Sequence, residues 1–220
     1  WSGWSGLIAT AAFLVTVIQN NVGGVAEPEG PGEILGYLDQ VSRSPSSFYV
    51  YGFGGIVLVL LYIPMAAGIY RLLDRSTEAW FGSVAVITGL AVLLPAYLIT
   101  VLVPAGLAPA AADLGGPGTE ALYAIHTFAT ATAESLFTVG SVLSLGIGPL
   151  LWGFGWLRSL EHRRWLGWLG IVTGVSGMVW FVWLTAGPLV LIALIVNVLC
   201  SLVLFGGISI DLVSLGRTTR

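Results

Sequence analysis

A stripe of polar and ionisable residues runs along the fourth hydrophobic segment of this sequence. His126, Thr130 and Glu134 follow one another at intervals of four residues, and Thr138 continues the spacing. In a helix these side chains lie on one slowly drifting face. An imidazole, a carboxylate and two hydroxyl groups can bind a small ligand, an ion, a pigment or a single haem iron. Because ionisable groups at membrane depth face protein or water, a ligand-binding site open to the outer side is one interpretation of this stripe, with His126, Thr130, Glu134 and Thr138 as the candidate binding residues.

Two alternative interpretations of the stripe stay open. In the first, its hydroxyl groups form hydrogen bonds to a neighbouring helix, and Glu134 extends to the outer headgroups. In the second, His126 and Glu134 relay protons or take part in hydrolysis. The sequence contains no nucleophile-elbow pattern, and only two of the three or four ligands that a metal normally requires can be named. We therefore predict no catalytic residue and no metal site.

The composition limits the classes of protein and cofactor. Hydrophobic residues make up 56% of the 220 residues and charged residues 9%, and the mean hydropathy is +0.94. These values are typical of a membrane protein. All eight positive charges are arginine, so a retinal or pyridoxal Schiff base, which requires lysine, is excluded. The single cysteine, Cys200, excludes an intrachain disulfide. Cations are not clustered, so nucleic acid is not an expected partner.

Six segments are long enough to cross a hydrocarbon core as helices, which needs roughly 20 residues. They are about 4–22, 49–72, 80–103, 121–157, 165–185 and 187–209. The predicted fold is an all-α, polytopic transmembrane helix bundle that forms a single domain over residues 1–220. Outer loops are predicted at 23–47 and 104–119, with Thr119 capping the fourth span.

The arginines predict the orientation of the bundle. Seven of the eight follow the second, fourth and sixth segments, namely Arg71, Arg75, Arg158, Arg163, Arg164, Arg217 and Arg220. The positive-inside rule makes that side cytoplasmic, so both termini are predicted inside. Most tryptophans fall near segment ends, as expected for residues at the headgroup level, although packing between helices explains them equally well.

The first outer loop contains a predicted amphipathic helix. Ile34, Leu35, Leu38 and Val41 share one helical face, while Asp39 lies away from it. We expect this helix to lie on the outer surface of the membrane.

Small residues recur on the third and fifth segments. Gly82 and Gly89 match Gly167 and Gly174 at a separation of 85 residues, as Trp80 matches Trp165. This repetition suggests an ancient duplication. The predicted helix-packing residues are Gly82, Gly89, Gly167, Gly170, Gly174 and Gly177, because small side chains let helix backbones approach closely.

Three features of this sequence resemble features of known sequences. They are the inner turn Arg71-Leu-Leu-Asp-Arg75, the fifth-segment start Arg164-Trp-Leu-Gly-Trp-Leu-Gly-Ile, and the long outer loop after the first segment. The chain resembles an uncharacterised family of bacterial six-helix integral membrane proteins, of the domain-of-unknown-function type. The resemblance implies a fold and assigns no activity or functional residue.

Two functions are consistent with these features. The first is a non-enzymatic, multi-pass accessory subunit of a prokaryotic plasma membrane, which packs against the bilayer and other membrane proteins. The second is an outward-facing binder or transporter of a small molecule, pigment, haem or ion, which uses the His126–Thr138 stripe.

Overall fold

The computed structural model describes residues 2–22, 27–43, 45–114, 118–159, 164–182 and 187–218, and over these residues the regular structure is entirely helical. The helices are α1 (Ser2–Val22), α2 (Ile34–Arg43), α3 (Pro45–Leu72), α4 (Thr77–Leu114), α5 (Thr119–Ser141), α6 (Gly148–Arg158), α7 (Arg164–Val182) and α8 (Gly187–Thr218). A π-helical turn, Val142–Ile147, joins α5 to α6. The predicted all-α class is confirmed.

Several of these helices have the length and composition of membrane spans. Within the described residues, four are long and apolar enough to cross a membrane, over Gly52–Leu72, Thr77–Ala111, Thr119–Arg158 and Ile192–Ser214. A shorter apolar helix covers Ser2–Val15. By their length and composition these helices are compatible with an integral membrane protein, whereas the number of six spans stays a prediction.

The buried apolar core is formed mainly by residues of α3, α4 and α8, together with Trp152 and Trp156 of α6 and Leu166 of α7. Trp152 and Trp156 of α6 are fully buried there. The Trp152 indole donates to Ser83 Oγ over 3.3 Å, and Ser83 in turn donates to the Ala66 carbonyl over 2.9 Å. This pair of bonds links α6, α4 and α3. Among the tryptophans, Trp4, Trp80, Trp165 and Trp168 are exposed, as expected for an interface, but Trp152 and Trp156 pack between helices.

One end of the bundle gathers the two ends of the described chain and the turn between α3 and α4. A Cβ at Gly68 would lie 2.8 Å from Ser2 and 3.0 Å from Leu212. The adjacent turn closes when the Arg75 amide donates to the Tyr70 carbonyl over 3.0 Å, with Asp74 and Arg75 at φ of 51° and 58°. Helix α4 then begins, because Ser76 Oγ accepts the Ala79 amide. Arg158 forms an ion pair with Glu78 beside this turn.

The predicted loop at 104–119 is largely wrong, since α4 continues to Leu114 through Pro104 and Pro109. Proline removes a backbone hydrogen bond from a helix interior. Here Leu107, Ala108 and Ala111 pack against α2, and this tertiary burial offsets the loss. Helix α5 takes Gly118 as its N-cap, so Thr119 is its first residue rather than its cap.

The predicted amphipathic helix in the first outer loop is confirmed as α2. Its buried residues are Ile34, Tyr37, Leu38 and Val41. They pack against α4 and α5, with Leu122 completing the cluster. The apolar face of α2 therefore covers protein, and the position of this helix at the outer surface of the membrane stays a prediction.

Candidate functional site

The four residues of the predicted ligand-binding stripe lie along α5 in different environments. His126 is 4% exposed, Thr130 and Thr138 are half-buried, and Glu134 is exposed. His126 and Glu134 are eight positions apart in the helix, which corresponds to about 12 Å along its axis. The structure places the stripe on one helix face but does not gather its members around one point.

His126 lies beneath α2. Its ring contacts the Tyr37 ring, with centroids 4.8 Å apart and an interplanar angle of 49°. Tyr37 is itself 7% exposed, and Leu122, one helical turn earlier on α5, belongs to the same buried cluster. Among the described residues, His126 Nδ1 has no hydrogen-bonding partner. Burying a ring nitrogen without a hydrogen-bonding partner costs free energy, so His126 is a candidate position for binding a ligand.

Two residues that the stripe did not include, Tyr37 and Glu27, join the site. Burial, and to a smaller extent the Glu27 carboxylate, raise the pKa of Tyr37 to about 12. Burial first and the neighbouring Glu134 carboxylate second raise the pKa of Glu27 above its ordinary value of 4.5. The site thus contains a neutral phenol against an imidazole, with a pair of carboxylates nearby.

The segment before α2 is held onto α5 by polar contacts. The Tyr123 hydroxyl donates to the Glu29 carbonyl over 3.1 Å. The Glu29 amide donates to Glu33 Oε2 over 3.0 Å, and the Glu33 amide donates to the Gly30 carbonyl over 3.1 Å. These contacts fix the segment that carries Glu27. The signal available in the sequence was the position of Tyr37 on the apolar face of α2.

Three hydroxyl groups of α5 bond to carbonyls of their own helix. Thr132 donates to the Phe128 carbonyl over 2.8 Å, and Ser135 donates to the Ala131 carbonyl over 2.8 Å. Thr138 donates to the Glu134 carbonyl over 2.9 Å. The alternative in which Thr138 bonds a neighbouring helix therefore does not describe this residue.

The described residues also bear on catalysis and metal binding. Within them, no group of three histidine, cysteine, aspartate or glutamate side chains is arranged to hold a metal ion. His162 lies outside the described residues. What remains at the candidate site is a capacity to hold a small ligand by hydrogen bonding, ring contact and carboxylate charge.

Helix α5, the π-helical turn and α6 form one continuous helical stretch, Thr119–Arg158, which we call the α5–α6 rod. The predicted packing glycines lie on the faces of α4 and α7 that contact this rod. A Cβ at Gly82 would lie 2.5 Å from Trp152, and one at Gly89 would lie 2.5 Å from the Gly140 carbonyl. On α7 the corresponding Cβ atoms would lie 2.5–2.8 Å from residues of the rod at Gly167, Gly170, Gly174 and Gly177. The two segments that share the sequence repeat thus flank one central rod.

Comparison with protein-family models, with curated proteins and with solved structures gives no match to this chain. The class of protein is therefore defined by the fold alone, as an all-α protein with helices able to cross a membrane.

Proposed function

We propose that this chain is a six-span integral membrane protein that packs as an accessory subunit against another membrane protein. The observation that carries this proposal is a polar face on α5, within the candidate span Thr119–Arg158. Its exposed polar members are Thr127, Glu134 and Ser135, and Ala131 lies between them. A carboxylate on a membrane helix is costly against lipid, so a protein partner that covers this face stabilises it.

Chemical crosslinking tests the accessory-subunit proposal. A photo-crosslinking residue at Ser135 should attach to one distinct integral membrane protein in native membranes. The matched control position is Val203 on α8, which is 53% exposed and apolar, and it should crosslink to lipid. Glu134→Leu should weaken the Ser135 crosslink. A Ser135 probe that labels only lipid, together with a monomer that purifies alone in mild detergent, would overturn the proposal.

The proposed topology has six spans with both termini cytoplasmic. It is supported by the end of the bundle that brings Ser2, Leu212 and the Arg75 turn together. Single cysteines in a Cys200→Ser background test it, with Ser159→Cys expected to be labelled only from inside and Gly32→Cys only from outside. Labelling of Ser159→Cys from outside intact cells would reverse the orientation.

The proposed location is a prokaryotic plasma membrane. The proposed relationship is to the uncharacterised bacterial six-helix family, and the turn at Arg71–Arg75 and the start of α7 support it. A sensitive comparison of sequences that share both features would test it, since members should keep six hydrophobic segments.

A second candidate function rests on His126. Its buried Nδ1, without a partner among the described residues, favours an outward-facing binding site at the top of α5. The Tyr37 ring covers the imidazole, so a small ligand fits this site better than a haem plane or a large pigment. An absorption spectrum of the purified protein tests for haem and pigment. For colourless ligands, loss of binding in His126→Phe but not in Glu120→Gln would favour the site, and equal binding in both would remove it.

A further inference from the structure

A second group of polar side chains is buried where α7 meets α8. Thr173, Asn197 and Ser201 are each 0% exposed. Asn197 Nδ2 donates to the Thr173 carbonyl over 2.8 Å. This bond crosses between the helices near the start of the apolar segment Ile192–Ser214.

Three oxygens of this group have no hydrogen-bonding partner among the described residues. They are Thr173 Oγ1, Asn197 Oδ1 and Ser201 Oγ. Burying one such group without a partner costs free energy, and native proteins rarely leave several unpaired together. Asn197 and Ser201 lie one turn apart on the same side of α8, and Asn197 reaches Thr173 directly. Ser201 therefore lies on the side of α8 that carries the bond from Asn197 to Thr173.

The backbone of α7 packs closely against Asn197 of α8 and against the π-helical turn. A Cβ at Gly177 would lie 2.9 Å from Asn197 Nδ2 and 2.5 Å from the Leu145 carbonyl in the π-helical turn. The Ser176 hydroxyl, by contrast, is already bonded to the carbonyls of Val172 and Thr173. Among the described side chains of α7 and α8, the buried atoms without a hydrogen-bonding partner belong to Thr173, Asn197 and Ser201.

We propose that these three side chains bind an ordered internal water that joins α7 to α8. All three are neutral, so an ion would lose its hydration without gaining a counter-charge. The amide oxygen can only accept, whereas the two hydroxyls donate or accept, so the ligand must itself donate and accept. The group is fully buried, and water is the smallest ligand that meets these conditions. The bridge fixes the register between α7 and α8, because sliding one helix by a turn separates its partners.

Two nearly isosteric variants test the water site, because bound water and unpaired oxygens predict changes of opposite sign in the midpoint of thermal unfolding. Thr173→Val and Ser201→Ala each remove one oxygen. If water bridges these oxygens, both variants should lower the midpoint of thermal unfolding in detergent by about 3–6 °C. If the oxygens are simply unpaired, both variants should raise it, since an unsatisfied buried group is removed. Ser176→Ala is the matched control on the same helix, and it should change the midpoint by less than either variant.

A raised or unchanged midpoint in Thr173→Val and Ser201→Ala would overturn the proposal. Equal losses in both variants and in the Ser176→Ala control would also overturn it, because they would indicate general sensitivity of α7–α8 packing. An experimental map that resolves ordered water provides a second readout. Density within hydrogen-bonding distance of Thr173 Oγ1 and Asn197 Oδ1 should be present in the wild-type protein and absent from Thr173→Val.

Discussion

The ring of Tyr37 on α2 lies against the ring of His126 on α5, with their centroids 4.8 Å apart. This contact joins the short helix α2 to the most buried member of the polar stripe. Helix α2 therefore forms part of the candidate site and covers the His126 imidazole. The stability of α2 and access to His126 are therefore physically linked.

Replacing Tyr37 with alanine should detach α2 from α4 and α5. The substitution removes a buried ring, and losses of about 3–5 kcal/mol are typical for such truncations. Amide hydrogen exchange should accelerate across Ile34–Arg43 while the core around Trp152 remains protected. Tyr37→Phe keeps the ring and should leave exchange nearly unchanged. Unaltered protection of Ile34–Arg43 in Tyr37→Ala would contradict the packing described for α2.

Alanine at two helical glycines should change stability in opposite directions. At Gly174 the new Cβ would lie 2.6 Å from Leu150 Cβ and 2.7 Å from the Gly146 carbonyl, so overpacking should cost about 1–3 kcal/mol. At Gly206 no atom lies within 4 Å, and the higher helix propensity of alanine should add about 0.5–1 kcal/mol. Unfolding in detergent measures both values. A Gly174→Ala protein as stable as Gly206→Ala would argue against close packing of α7 on α6.

Removal of the Ser83 hydroxyl should destabilise the contact between α3, α4 and α6. Ser83→Ala removes the acceptor of the Trp152 indole and the donor to the Ala66 carbonyl. Leaving a buried indole N–H unpaired costs about 1–3 kcal/mol. Ser144→Ala is the control, because the Ser144 hydroxyl is buried but bonds only to the Gly140 carbonyl of the same rod. Ser83→Ala should lose more stability than Ser144→Ala, and the reverse order would contradict an interhelical role.

The stability of the outer segment should depend on pH through Glu27. Its pKa is raised by burial and by the Glu134 carboxylate, so the folded state binds more protons than the unfolded state at pH values above 4.5. Stability therefore falls as the pH rises through this window. Glu27→Gln should raise the unfolding midpoint at neutral pH, and the gain should disappear at more acidic pH.

Glu120→Gln provides the control for Glu27→Gln, since it removes an equal charge from an exposed position on the same helix as Glu134. A pH-independent gain in Glu27→Gln, or an equal gain in Glu120→Gln, would indicate an effect of net charge alone.

Much of this architecture follows from hydrophobic patterning. Long apolar segments predicted the helices, and the spacing of Ile34, Leu38 and Val41 predicted α2. The extension of α4 through Pro104 and Pro109 could not be foreseen, because the compensating contacts come from α2, more than 60 residues earlier in the chain. Local propensity is overridden there by tertiary burial.

The candidate site was predictable only in part. Helical spacing placed His126 and Glu134 on one helix, but it said nothing about what covers them. The roles of Tyr37 and Glu27 depend on how the first outer loop folds over α5, which the sequence pattern does not encode. Likewise, the contact of Asn197 with Thr173 and the full burial of Ser201 became visible only in three dimensions.

The π-helical turn at Val142–Ile147 has a consequence for insertions and deletions. A π-turn accommodates one residue more than an α-helical turn, and each α-helical residue rotates the chain by about 100°. Deleting one residue here would allow an unbroken α-helix. The widened turn absorbs the extra residue, so this deletion would leave the His126 half and the Trp152 half of the rod in nearly the same relative orientation. One residue inserted or deleted elsewhere in the rod would instead rotate its two halves by roughly 100° relative to each other. The π-helical turn is therefore the position at which the rod accommodates a change of one residue with the smallest change in angular phase.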